Sequence, residues 1–227
     1  MRYGGRMTRA LAAVFDLDGT LVDNMTYHGD SWVALARRLG SAATREDFEL
    51  RWAGKTAREI FPALLGREVP EEEAAALEHE KESAYRAAYA PHLEPMPGLH
   101  AFLDRLDAAG VKLAIASAAP VENRDFVLER LGLAGRFVAL ATPGPGVRGK
   151  PHPDLFVRAA ELAGVPCERC VAFEDAVNGV LAARAAGMAA VGVRTAASDA
   201  TLREAGAFTT IADYATLGPE LEAALFG

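Results

Sequence analysis

The chain has 227 residues, 51% of them hydrophobic and 24% charged, with a net charge of -7. That length supports one sizeable core, or a core with a small accessory unit. The acidic balance argues against general nucleic-acid binding, which needs a basic footprint, and no apolar run reaches the roughly 18 residues that span a bilayer. An anionic ligand stays allowed, because a few local cations or a metal can invert the field in one cleft. The apolar stretch after Arg2, Arg6 and Arg9 is short and stops at Asp16, so no signal peptide is expected. The expectation is a cytoplasmic, monomeric protein without nucleic-acid or membrane partners.

In chain order, Leu11-Ala12-Ala13-Val14 reads as a short buried strand. It runs into Phe15-Asp16-Leu17-Asp18-Gly19-Thr20. Two aspartates two positions apart at a glycine turn have no packing explanation. Carboxylates are rarely buried without partners, and a pair this close repels itself unless a cation lies between. The pair therefore predicts a metal at the C-terminal end of the first strand. Residues i and i+2 of an extended strand point the same way, so Asp16 and Asp18 can share one site.

Trp32, Leu35, Ala36 and Leu39 follow helical spacing, with Gly40 as the stop. A second helix starts at Pro70-Glu71-Glu72-Glu73, where acids favour the first turn. It continues through Leu77, Ala84, Tyr85 and Ala88 and ends before Pro91. No strand is expected from Met25 to Pro95. After the punctuation Pro95-Met96-Pro97-Gly98, strands and helices alternate. Helices are expected around Leu99 to Leu106, Phe126 to Leu131, Leu155 to Leu162 and Val177 to Ala186. Strands are expected at Val111 to Ala116, Phe137 to Leu140, Cys170 to Phe173 and Ala189 to Val193. Such alternation implies a parallel sheet covered on both faces, with ligands beyond the carboxyl ends of the strands.

The polar residues just past the strands are therefore the informative ones. They are Asp16 and Asp18, Ser117, Lys150 at some distance, and Glu174 with Asp175. A carboxylate can attack phosphorus and split one hard displacement into two easier ones. Mg2+, which prefers oxygen ligands, and Lys150 would neutralise phosphoryl charge, and Ser117 with neighbouring backbone N-H groups would donate to it. A second carboxylate two residues on can protonate the leaving oxygen.

These residues also have plainer readings. Asp18 alone is a turn former, Ser117 a helix cap, His28 a helix-surface residue, and Lys55 with Arg58 a solvated face. Asp154 reads as a helix N-cap and His152 as a loop residue. Cys167 and Cys170 form a lone C-x-x-C, read as structural in the absence of a second pair. Gly144 to Lys150 fits G-x-x-x-x-G-K, but Pro151 supplies no hydroxyl and Pro143 and Pro145 remove N-H donors, so it is not a phosphate-cradling loop of that type.

Asp16-Leu17-Asp18-Gly19-Thr20, Ser117, Lys150-Pro151 and Glu174-Asp175 resemble the four motifs of the haloacid dehalogenase-like superfamily. Phe173 to Gly179 and the helical insert after the first motif look like its beta-phosphoglucomutase and sugar-phosphatase branch. The resemblance implies an α/β fold: a Rossmann-like three-layer core with a parallel sheet, residues 7–24 and 97–227, and a small all-helical cap domain, residues 25–96. It implies Asp16 as nucleophile and Asp18 as general acid and base. Ser117, Ala118 and Lys150 would bind the phosphoryl group. Asp16, Asp18 through its carbonyl, Asp175 and, close by, Glu174 would hold Mg2+. In the cap, Gly54, Lys55, Arg58 and His28 are the candidate substrate contacts, with His28 linking closure to Asp18. Ala53 stands where this branch carries a cap lysine, and Thr20 and Asn24 also depart from the mutase pattern. The implied activity is a Mg2+-dependent phosphomonoester hydrolase acting on a small phosphorylated metabolite, a sugar phosphate, through an aspartyl phosphate. The alternatives are a beta-phosphoglucomutase-like phosphotransferase and an inactive member that binds metabolites or a partner.

Overall fold

The computed structural model describes residues 9–227. Arg2 and Arg6, with residues 7 and 8 of the expected core boundary, lie outside the described residues. Strand β1 (Ala12–Phe15) leads to helix α1 (Met25–Arg38), a π-helical turn (Asp47–Arg51), α2 (Ala57–Leu65) and α3 (Glu71–Tyr89). Then follow α4 (Leu99–Ala108), β2 (Lys112–Ala116), α5 (Val121–Arg130), β3 (Ala139–Ala141), α6 (Asp154–Ala163) and β4 (Cys170–Glu174). The chain closes with α7 (Val177–Ala185), β5 (Ala189–Val193), α8 (Asp199–Glu204), β6 (Thr209–Ile211) and α9 (Pro219–Phe226). No described helix is long and apolar enough to cross a membrane.

All strands are parallel, in the order β3-β2-β1-β4-β5-β6. The chain reverses its direction of travel across the sheet beside β1, and a crevice opens at such a point beyond the strand ends. The period-2 alternation of side chains gives the two faces different sizes. Phe15, Leu113, Ile115, Phe173 and Val191 fill one face under α4, α5 and α9. The other face is Ala12, Val14, Ala114, Ala116, Ala172 and Ala190. Alanines there let α6 and α7 lie close to the backbone of the sheet. Helices α1 to α3 and the π-helical turn bury a separate apolar cluster around Trp32, Phe48, Trp52, Phe61 and Leu77.

The expected alternation is present, with several boundaries moved. Leu11 is exposed and precedes β1. The third strand begins at Ala139 rather than Phe137, leaving Val138 61% exposed. Leu162 lies on the outer face of α6 at 52% exposure, because Leu155, Phe156, Ala159 and Ala163 already fill the buried stripe. Helices α2, α8 and α9 and strand β6 were not anticipated. Strand β6 is three residues long, two of them threonine, too short for a periodic signal.

Candidate active site

Phe15, the last residue of β1, stacks on Phe173 of β4 with ring centroids 4.7 Å apart, and Phe102 and Phe137 meet it edge-on. This aromatic anchor fixes the height at which the next residue leaves the sheet. Asp16 is held there by its own N-H, which donates to Phe173 O at 3.0 Å. On the neighbouring strands, β2 delivers Ser117 and β4 delivers Glu174 and Asp175 to the same edge. Lys150 arrives from the loop between β3 and α6, where its N-H donates to Gly54 O at 2.9 Å.

The centre is three buried carboxylates around one buried ammonium. Lys150 Nζ donates to Asp16 Oδ1 at 2.6 Å and to Glu174 Oε1. The other Glu174 oxygen accepts from Ala176 N at 3.0 Å. Glu174 is thus fully engaged in orienting Lys150 and the start of α7. Asp175 Oδ2 is buried and accepts nothing. It lies against Gly19, whose φ of 71° belongs to the left-handed region, and a Cβ there would collide with the carboxylate.

Oxygens of Asp16, Glu174 and Asp175 lie within 4.8 Å of one another. Burial pushes the Asp16 carboxyl up to about 7; Lys150 opposes this, and Glu174 and Asp18 add to it. Burial also raises Asp175, reinforced by Glu174 and Asp16. At Lys150 burial alone would favour the neutral amine, but Asp16 and Glu174 outweigh it and hold the ammonium. With all three carboxyls ionised, negative charge would exceed positive in a closed space, which is why two of them are pushed upward, and the Asp175 Oδ2 is left without a partner. That donor set fits a hard divalent cation such as Mg2+.

Asp18 turns out of this cluster. Its Oδ1 accepts from Asn24 Nδ2 at 2.5 Å and lies 3.3 Å from His28 Nε2. Burial opposes its ionisation, but His28 and the Asn24 hydrogen bond hold the carboxyl below the ordinary range. Asn24 is the hub of the turn: its Oδ1 accepts from Gly19 N at 2.9 Å, and its Nδ2 also reaches the Tyr85 hydroxyl at 2.6 Å. His28 stacks on Tyr85 with centroids 3.7 Å apart. The His28 side chain is therefore turned inward, not toward solvent.

One cavity joins these groups to the helical unit. Its floor includes Asp16, Asp18, Ser117, Ala118 and Lys150; its roof includes Trp52, Gly54, Lys55, Ile60 and Glu78. Ser117 is buried, and its Oγ accepts from Ala119 N at 3.0 Å; the N-cap of α5 is Pro120, so Ser117 is not the helix cap. Roof and floor are stitched by Asn178 Nδ2 donating to Ala53 O at 2.9 Å and by Gly149 N donating to Glu59 Oε1 at 3.2 Å.

Two expectations change. Arg58 does not line the cavity; it is exposed and pairs with Glu71 on the outer surface, because the first turn of α2 directs it away. Asp154 is the first residue of α6 rather than its N-cap, and it takes Arg148 through contacts of 3.0 and 2.9 Å. Cys170 is a buried free thiol pushed up to about 12 by burial, and Cys167 is also free.

The residues missed from sequence are Lys81, Glu82, Tyr85 and Asn123. Lys81 and Glu82 stand in the charged run His79-Glu80-Lys81-Glu82, which has the texture of a solvated face. The available signal was position. Ala74, Leu77, Lys81, Tyr85 and Tyr89 fall on one buried stripe of α3, with a lysine at its centre.

A family model described as haloacid dehalogenase-like hydrolase matches residues 11–187. The chain is 33% identical to a beta-phosphoglucomutase of Bacillus subtilis over 190 residues, 80% of this chain and 82% of that one. It is 32% identical to a fructose-1-phosphate phosphatase of Escherichia coli over 194 residues, 82% of this chain and 97% of that one. Among solved structures, a beta-phosphoglucomutase of Clostridium difficile superposes with a TM-score of 0.81 at 27% identity, covering 93% of this chain and 95% of that one.

Proposed function

The chain belongs to the haloacid dehalogenase-like hydrolases, in the branch of beta-phosphoglucomutases and sugar phosphatases, and from that premise we propose a Mg2+-dependent hydrolase of small phosphate monoesters, sugar phosphates foremost. The observation that carries this reading is the buried Asp16, Lys150, Glu174 and Asp175 cluster facing Ser117 across one cavity. Residues 25–96 act as a cap over a catalytic core of the remaining described residues.

Asp16 attacks phosphorus, the bond from phosphorus to the ester oxygen breaks, and Asp18 gives that oxygen a proton. Water then attacks the aspartyl phosphate while Asp18 takes a proton, and Asp16 and inorganic phosphate are released. The resting Asp18 is ionised, so the proton for the first step enters with the substrate, as a phosphate monoanion. Lys150 and Ser117 hold phosphoryl oxygens throughout. Asp16 and Asp175, with the Asp18 carbonyl, would hold the divalent cation, which supplies charge neutralisation at the phosphoryl group.

The roof favours water over a second phosphorylated ligand as the acceptor. A mutase must hold two phosphates at once, which takes several cations. Here the cap wall of the cavity is largely Trp32, Phe48, Trp52, Ala57 and Ile60. Its cations are Lys55 and Lys81, and Lys81 is already bound by Glu82. Glu78 adds a carboxylate that would repel a second dianion. The similarity to phosphoglucomutases keeps that activity as the alternative to test.

The test is phosphate release from a panel of monoesters with Mg2+, beside isomerisation of glucose 1-phosphate. Release without isomerisation, abolished in Asp16→Asn with the circular dichroism spectrum unchanged, is the expected result. Isomerisation faster than release would replace the hydrolase with the mutase. Full activity in Asp16→Asn would remove Asp16 as nucleophile.

A further inference from the structure

A polar network buried between the helical unit and the sheet core takes no direct part in the chemistry above. Lys81 and Glu82 are adjacent on α3 and both are buried. Lys81 Nζ donates to Glu82 Oε1 at 2.9 Å and lies 2.7 Å from His28 Nδ1. Glu82 Oε2 accepts from Asn123 Nδ2 at 2.6 Å, and Asn123 Oδ1 accepts from Arg86 Nη1 at 2.6 Å. Asn123 belongs to α5 of the sheet core and is completely buried. One core amide therefore binds two residues a single turn apart on α3, as donor to one and acceptor from the other.

The chemistry of each link sets the next. An ammonium has no lone pair, so Lys81 must donate to His28 Nδ1. Nδ1 is then the acceptor, which places the ring proton on Nε2, the nitrogen 3.3 Å from Asp18 Oδ1 and without a formed hydrogen bond of its own. Lys81 stays on His28 only while Glu82 holds its other side. Burying this ion pair costs several kcal/mol in desolvation, offset only by good geometry and full hydrogen bonding. Asn123 completes that bonding. An aspartate at 123 would repel Glu82, and an alanine would leave both Glu82 and Arg86 short of a partner.

We propose that Asn123 is a positioning residue for proton transfer: through Glu82, Lys81 and His28 it sets the donor that faces Asp18, and does so only while α3 rests on α5. A cap lifted from the core leaves Asn123 behind, and the alignment at Asp18 is released with it. The inference rests on the reading of Asp18 as the acid. It adds that a residue on the core helix following the Ser117 loop governs that acid from across the domain boundary.

The experiment compares kcat/KM, with Mg2+, for two esters: 2,4-dinitrophenyl phosphate, whose leaving group needs no proton, and an alkyl sugar phosphate, whose leaving group does. Asp18→Asn is the benchmark and should lose roughly a hundredfold or more on the alkyl ester and far less on the activated one. Asn123→Ala should show the same bias at about tenfold, and Asn123→Ser, which keeps a donor, should recover part of it. Glu82→Gln keeps an acceptor for Asn123 but drops the charge that holds Lys81. It should show the bias too, and serves if Asn123→Ala does not fold. Equal losses of Asn123→Ala and Glu82→Gln on both esters, or no loss, overturn the proposal while a biased Asp18→Asn leaves the acid assignment standing. A flat Asp18→Asn overturns that assignment and the proposal together.

Discussion

Asp16 carries two opposed demands. In the proposed role of nucleophile it must be ionised, yet burial among like charges raises its carboxyl from 3.8 to about 7. Between those values the folded chain keeps a proton that the unfolded chain has released. Stability therefore falls as pH rises through that window, by the linkage between proton uptake and folding. Asp16→Asn has no such proton to lose. In EDTA, its stability relative to the parent should grow as pH rises through the window, on the order of a few kcal/mol. Urea denaturation on either side of the window measures this. Mg2+ should reverse the trend in the parent, stabilising it most at the higher pH, where no proton has to leave. A difference independent of pH would mean that Asp16 is ionised and compensated without a cation.

Among the elements, α7 shows how closely the backbone is fitted to the site. Its Gly179 leaves the space that the Glu174 carboxylate occupies, and a Cβ there would overlap it. In an exposed helix a change from glycine to alanine gains about 1 kcal/mol. Here the expected sign is opposite. Gly179→Ala should cost roughly 1–3 kcal/mol by overpacking. It should also weaken Mg2+ binding about tenfold by turning Glu174 away from Lys150, as lost supporting contacts around a metal do. Thermal melts and calorimetric titration with Mg2+ read the two effects separately. A stabilised variant would mean that Glu174 has a second resting place. The same close fit explains why the alanine-rich face of the sheet lies under α6 and α7, while the aromatic face anchors β1 beneath Asp16.

Across the whole molecule there are two kinds of interior. The sheet buries apolar clusters on both faces, while α1 to α3 share a smaller one of their own. Links between the two units include single hydrogen bonds, as at Asn178 and Glu59, and the pair made by Asn123. Units held this way open at lower free energy than the strands beneath them. Native-state hydrogen exchange should find α1 to α3 opening as a group before β1 and β4, and equal protection throughout would make the helical unit and the sheet one cooperative body. The order of residues alone was enough to place Asp16, Asp18, Ser117, Lys150, Glu174 and Asp175 at one sheet edge, because alternation of strands and helices sends every strand end to the same side. It was enough, too, to point to the family, since an acid pair beside a glycine turn is a local signal. It did not determine that Arg58 faces outward, that Asn24 is the hub of the turn, or that Lys81 is buried. Lys81 and Glu82 lie 53 and 41 residues from the partners that explain them, His28 and Asn123. Charged side chains gain those partners only when α3 packs on α1 and α5, so the apolar stripe through Lys81 hints at its burial but no local pattern names its partners.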